Sequence, residues 1–369
     1  MNIPIDIPIK KILVIWAATG TLCRHDNGWR GSPGAANQGG DALKEKRLIS
    51  WVITAVAACA AAPAAAAGAA GDYPRRPITI VVPFGAGGSA DVYARYLGDR
   101  LQKQFGQSVV VENKPGGGGV IGTAYVARAQ PDGYTLLVMS NTQTVNETLL
   151  KDRPYDLMKD FEPVAPINEA SLVLVAKKGL DVASVGDLVA LEKQKPGELN
   201  YASSGIGTPY HIAGELFSSM AGTKVQHVPY KSSGQARTGV AAGEVDYMFD
   251  AIATMQAFVD DGRVKALATT GKERSPVFPD LPTVSEAGLP GYEANIWLGL
   301  LAPKGTAPEI VATLNRAIGE IAGDPQVEQQ WRKDGVSPMV MDPPAFRKYL
   351  QQDIERLRKI ALDAGMVQQ

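Results

Sequence analysis

At 369 residues the chain is too long for one ordinary domain and has room for two. Apolar residues at 45% and charged residues at 20% match a soluble globular composition, and 37 basic against 38 acidic side chains leave a net charge of −1, which removes the electrostatic footprint of a general nucleic-acid binder. The two cysteines, Cys23 and Cys59, both precede residue 60, and there are only three histidines, His25, His211 and His227, so neither a disulfide scaffold, a cysteine nucleophile nor a metal centre is expected in the body of the protein.

In chain order, the first readable segment is an export signal at 44–70. Lys44, Lys46 and Arg47 form a basic start, LISWVITAVAA (48–58) an apolar core, and APAAAAGAA a small-residue tract with A-x-A sites such as Ala65-Ala66-Ala67 and Ala67-Gly68-Ala69. The apolar core is about half the length of a membrane-spanning helix. Residues 1–43 read as an extension ahead of the true start, for which Leu43 is a candidate non-AUG initiator. Val56-Ala57-Ala58-Cys59 resembles a loose lipobox, so a lipid anchor at Cys59 competes with a plain signal peptide, the favoured reading. Either way the mature protein is expected in the periplasm.

Downstream, strand and helix alternate. ITIVVPF (78–84) is a buried parallel strand, followed by a helix from about Ala90 with Val92, Tyr96, Leu97, Leu101 and Phe105 at helical spacing. SVVVEN (108–113), a short helix near 120–129, YTLLVMS (134–140) and FEPVAPI (161–167) complete a first set. LVLVAKK (172–178) opens a second, with strands LNYASS (199–204), VQHVPY (225–230), VDYMFD (245–250) and VKALATT (264–270) and helices at 209–221, 234–242 and 254–261. IWLGLLAP (296–303) and amphipathic helices at 308–322 and 343–363 end the chain. The pattern predicts a two-lobed α/β protein, each lobe a mostly parallel sheet flanked by helices. The strands at 172–178 and 296–303 are the expected crossovers, giving lobe 1 as 71–169 plus 296–369 and lobe 2 as 170–295. Ligands of open α/β sheets bind at the strand carboxyl ends, so the site belongs in the cleft between lobes.

Each lobe ends its first strand in the same device. In Pro83-Phe84-Gly85-Ala86-Gly87-Gly88-Ser89-Ala90-Asp91 the glycines allow close backbone approach and Ser89 is a candidate N-cap. In Ser203-Ser204-Gly205-Ile206-Gly207-Thr208-Pro209-Tyr210-His211, Thr208 caps and Pro209 suits the first helical position. Free N–H groups and the helix dipole at such a start make an anion site, although each loop alone is also an ordinary strand-to-helix turn. Ser140, Asn141 and Thr142 end the third strand and offer hydroxyl and amide contacts. Tyr230 could wall the cleft, and Lys231 could meet an anion or be solvated. Asp250 could bind an amine or hydroxyl, or cap the next helix. Asp91 is comfortable in a first helical turn without a ligand, and His211 reads more simply as a wall histidine. Gly117 to Gly122 formally match G-x-G-x-x-G but follow the second strand, with no acid near 142 to hold a ribose. Ser204, His211 and Asp250 supply the residue types of a hydrolase triad without a G-x-S-x-G elbow.

YPRRPITIVVPFGAGGSADVYAR, VVVENKPGGGGVIGT, PDGYTLLV, YDLMKDFEPVAPI, LNYASSGIGTPYHIAGELF, HVPYK, KALATTGKERSPVFPDLPTVSEAG and APKGTAPEIV run from Tyr73 almost to the C-terminus. Over these stretches the chain resembles the Bug-type periplasmic solute receptors of tripartite tricarboxylate transporters. The resemblance implies a "Venus flytrap" of the type II binding-protein fold. It also implies a small carboxylic acid whose carboxylate is gripped by backbone N–H groups and ordered waters at the two helix-start loops. Carried over position by position, it nominates Phe84, Ala86, Gly87, Gly88, Ser89 and Asp91 in the first loop. In the second it nominates Ser204, Gly207, Thr208 and His211, together with Tyr230, Lys231 and Asp250. Where the family usually has Gly after PYK this chain has Ser232, which bears on the backbone path and pocket size there. The expectation is a monomeric receptor rather than an enzyme, with no cofactor, metal or nucleic acid and with membrane permease subunits as partners. A sensory receptor or a Ser204/His211 hydrolase of a small carboxylate are the alternatives.

Overall fold

The computed structural model describes residues 73–366. The export signal, the N-terminal extension and Cys59 lie outside the described residues. No helix among the described residues is long and apolar enough to cross a membrane.

Two sheets share one long strand. The first runs β2 (Val109–Asn113), β1 (Ile78–Val82), β3 (Thr135–Ser140), β9 (Asn295–Pro303), β4 (Phe161–Lys177), with β10 (Val336–Pro338) also on β4. The second runs β6 (Gln226–Pro229), β5 (Asn200–Ser203), β7 (Tyr247–Ala251), β4, with β8 (Val264–Thr269) on β4. Residues 161–171 of β4 pair with β9, and residues 172–177 pair with β7 and β8.

The two strands expected at 161–167 and 172–178 are therefore one strand of 17 residues. Its first half contains Pro163 and Pro166. Each coincides with a register shift against β9, where a residue without an N–H is tolerated. The crossover at 172–178 is thus the second half of β4. The other expected crossover, 296–303, stays in the first sheet. The return path is instead stitched at Thr270, whose backbone bonds to Leu172 and Ala294. Pairing is parallel where helices connect neighbouring strands, β1 with β2 and β3, and β5 with β6 and β7. It is antiparallel throughout β4 and β9, so the sheets are mixed rather than mostly parallel.

Three helices escaped the periodicity reading: α3 (Asn141–Leu149), α4 (Val185–Gln194) and α9 (Pro325–Lys333). In α3 most buried residues are polar, with Val145 and Leu149 the apolar ones. Gln143 completes a capping box with Ser140, Thr144 donates to Asp353 at 2.7 Å, and Asn146 donates to the Gly118 carbonyl at 3.1 Å. In α9 only Val327 and Trp331 are buried, Trp331 packing edge-on against Tyr93.

Glu192 on α4 is fully buried and has no ion-pair partner among the described residues. Desolvation raises its pKa. A carboxyl whose folded pKa lies above its unfolded value loses stability as pH rises through the folded pKa. Glu192→Gln is accordingly expected to gain about 1 kcal/mol, a few degrees in melting temperature, over wild type at pH 8 and much less at pH 5. Thermal melts across that range check it, and a gap that does not widen with pH contradicts the reading.

Candidate ligand-binding site

The loop after β1 feeds α1 (Ser89–Phe105), and the loop after β5 feeds α5 (Pro209–Ala221). The two loops are built alike. Each turns at a left-handed glycine, Gly87 at φ 79° and Gly207 at φ 75°. Each of these glycines donates its N–H to a side chain four residues on, Gly87 to Asp91 Oδ2 at 3.0 Å and Gly207 to His211 Nδ1 at 3.2 Å. Asp91 is further held by Arg95 and Asn113. Asp91 and His211, nominated as ligand contacts, thus act here as anchors that fix the loops.

Neither helix start is capped by a side chain. The N-cap of α1 is Gly88; Ser89, expected there, is the first helical residue. Thr208 does occupy the N-cap of α5, but its hydroxyl donates to the Gly205 carbonyl at 2.7 Å. First-turn N–H groups at both starts are left for something else to satisfy. Between them lies a small cavity of about 30 Å³ lined by Phe84, Gly85, Gly88, Ser89 and Ala90 of the first loop, Ser204, Thr208, Pro209 and Tyr210 of the second, Ser140 and Thr142, Lys231, Ser232 and Ser233, and Ile296. Of the residues nominated from sequence, Phe84, Gly88, Ser89, Ser140, Ser204, Thr208 and Lys231 line it.

The other nominated residues stand elsewhere. Ala86 and Gly87 lie exposed on the loop, and Gly207 is buried behind its own. Asn141 donates to the Asn295 carbonyl at 2.8 Å. Tyr230 lines an adjoining cavity of about 310 Å³ with Phe84, Ser204, Lys231 and the Gly116–Gly119 loop. Asp250 is buried in an ion pair with Arg237 at 2.6 Å. Tyr210, Ser233 and Ile296 were not nominated, and Ser232 was noted only for the backbone path and pocket size. Ser232 was legible as a cap, since it starts α6 (Ser233–Ala242) by accepting from the Gln235 N–H. Nothing in the sequence marked Ile296. A β-carbon on Gly85 would stand 2.7 Å from the Ser232 β-carbon, so the serine closes against the first loop and only glycine fits opposite it.

Among the residues lining the two cavities, Lys231 is the only charged one and belongs to both. Two helix N-termini and one ammonium, with no carboxylate in either lining, make the cavity electropositive. The glycine run has a packing role. A β-carbon on Gly118 would come within 2.6 Å of the Ile206 carbonyl oxygen, so the run lets the segments meet closely. Ser204, His211 and Asp250 are not hydrogen-bonded to one another among the described residues: His211 serves Gly207 and Asp250 serves Arg237.

Under the second loop the His211 and His227 rings lie 4.0 Å apart, and His227 Nε2 is 2.6 Å from Ser203 Oγ. Burial, with His227 beside it, pushes the His211 pKa down to about 3, and burial pushes His227 down to about 4. Both stay neutral at pH 7, which leaves Nδ1 of His211 free to accept from Gly207. Between the ordinary imidazole pKa and these values the unfolded chain binds protons that the native protein does not, so stability falls as pH drops. Urea unfolding between pH 6.5 and 4 is expected to show a loss approaching ~1.4 kcal/mol per pH unit for each histidine. His227→Gln should flatten the slope, and an unchanged slope contradicts the assignment.

Residues 93–366 match the family model described as "Tripartite tricarboxylate transporter family receptor". The chain belongs to this family. The receptor is 37% identical to Protein BugT of Bordetella pertussis over 295 residues, 79% of this chain and 90% of that one. Among solved structures, it is similar to an R. palustris protein solved with adipate (TM-score 0.79, 35% identity, 81% of this chain and 100% of that one). It is also similar to the periplasmic binding protein BugD (TM-score 0.77, 33% identity, 80% and 100%) and to MatC from Rhodopseudomonas palustris with bound malate (TM-score 0.74, 33% identity, 78% and 99%). The receptor therefore has the two-lobed α/β fold of the Bug-type periplasmic binding proteins.

Proposed function

We propose that this receptor captures a small carboxylic acid with its carboxylate at the two helix starts and its body toward the adjoining cavity, and hands it to the membrane subunits of a tripartite transporter. The observation that carries the reading is the pair of uncapped helix starts facing one cavity. A carboxylate there satisfies backbone donors from both loops at once and needs no buried basic partner of its own. The adipate and malate named with two of the similar structures fit that chemistry. Residues 71–169 with 296–369 would move as one lobe and 170–295 as the other. The ligand shifts their equilibrium toward closure because it makes its full set of contacts only in the closed form. Residues 44–70 would direct export, and the closed form is what the permease recognises.

Mass spectrometry of ligand released from the purified protein, with calorimetry against adipate, malate and their diamides, tests the proposal. Expected are one acid per chain, released unchanged, and no binding of the diamides. Turnover of the acid would favour the hydrolase reading, and preference for neutral or cationic compounds would overturn the carboxylate site.

A further inference from the structure

Asp250 is the next-to-last residue of β7, where the sequence suggested a ligand contact, yet it is 0% exposed and its Oδ2 lies 2.6 Å from Arg237. Arg237, in the middle of α6, is itself only 6% exposed. Its second amino group reaches across to the other loop and donates to the Gly87 carbonyl at 2.6 Å, over 150 residues of sequence. That carbonyl shares a peptide unit with the Gly88 N–H. In a trans peptide the C=O and N–H point in opposite directions. A guanidinium fixed on the oxygen therefore fixes the direction of the Gly88 N–H, and Gly88 lines the ligand cavity. The preceding peptide is pinned with the opposite charge, since the Gly87 N–H donates to Asp91. The two sides of Gly87 are thus held by a carboxylate from its own helix and a cation from the other sheet's helix.

We propose that Arg237 is a positioning residue for ligand capture. Carried by Asp250, it docks on the Gly87 carbonyl when the lobes meet, aims and polarises the Gly88 N–H toward the bound anion, and so assembles the donor set only in the closed protein. The inference rests on the carboxylate reading of the cavity. Charge-assisted hydrogen bonds are the strong ones, and polarisation along a bonded chain strengthens the distal donor. The planar fork of one guanidinium serves Asp250 and Gly87 at fixed angles, which a lysine ammonium does not reproduce.

The test uses two variants, because removing one charge alone leaves the other buried. Arg237→Lys retains the charge without the fork. The double variant Arg237→Met, Asp250→Leu replaces the ion pair with apolar bulk, a change that buried pairs commonly tolerate. Calorimetry with adipate and malate is paired with amide NMR of the ligand-free proteins, following Gly88 against the amides of the second loop at Gly207. Expected are roughly 10- to 100-fold weaker binding in the double variant, a smaller loss in Arg237→Lys, and a Gly88 amide shift in both while Gly207 stays put. A folded double variant that binds within twofold of wild type, or a Gly88 amide that does not move in either variant, overturns the proposal. Wild-type protein that binds no carboxylic acid defeats the carboxylate reading instead, and the amide shifts then still decide whether Arg237 sets the Gly88 peptide.

Discussion

Asp250→Ala is expected to lower the folding free energy by about 3–5 kcal/mol, since it strands the Arg237 guanidinium in the interior. The magnitude follows from burial, with Asp250 fully inside the protein and Arg237 nearly so. The two are joined by a direct ion pair on facing elements, β7 and α6. Water cannot take over the role of the lost carboxylate without opening the seam between α6 and the first loop. The ring of Phe258, 6.0 Å from the guanidinium, offers only a weak substitute. Urea denaturation reads the loss directly. Unchanged stability combined with a loss of adipate or malate affinity would show instead that Asp250 meets the ligand.

The second large effect is on binding. Gly88→Pro is expected to weaken carboxylate binding by roughly 10- to 100-fold, because it deletes one donor at the start of α1. The native Gly88 φ of −86° lies somewhat beyond the proline range and a β-carbon there meets Ser233 Oγ at 3.0 Å, so retention of the helix start has to be checked alongside binding. Thr208, the matching position of the second loop, is not equivalent. Its N–H already donates to the Gly205 carbonyl at 3.3 Å, so Thr208→Pro loosens the loop rather than removing a free donor. The free N–H groups of that start belong to Tyr210 and His211, beyond Pro209. Calorimetry on a Gly88→Pro protein with wild-type circular dichroism is the measurement, and wild-type affinity would count against the helix-start site.

The parts of the site that could be read in advance are those whose geometry is local. A β-branched run, a glycine turn and a helix start occupy about ten consecutive residues, and the chemistry of such a segment is fixed by its neighbours in sequence. The anchoring roles of Asp91 and His211 are also local, each four residues from its glycine, and a search for such i to i+4 acceptors would have found them. Helix α3 was invisible for a different reason. Its buried residues are mostly polar, Asn141, Thr142, Gln143, Thr144 and Asn146 beside Val145 and Leu149, and Asn141, Thr144 and Asn146 bond to partners that only the folded chain supplies. Hydrophobic periodicity reports burial paid by apolar surface, and here burial is compensated by hydrogen bonds.

Alternation of strand and helix was enough to specify the class of fold, the two glycine loops and the electropositive character of the cavity, because each follows from short-range pattern and backbone polarity. The continuity of β4 through both sheets and the pairing of Arg237 with the Gly87 carbonyl came only from the tertiary structure. So did the contact of Ser232 with Gly85 and the withdrawal of Asp250 from the cleft. These joins link segments up to 150 residues apart. Whether a charged side chain meets a ligand, a partner or water depends on which distant backbone is brought beside it, and no local pattern carries that information.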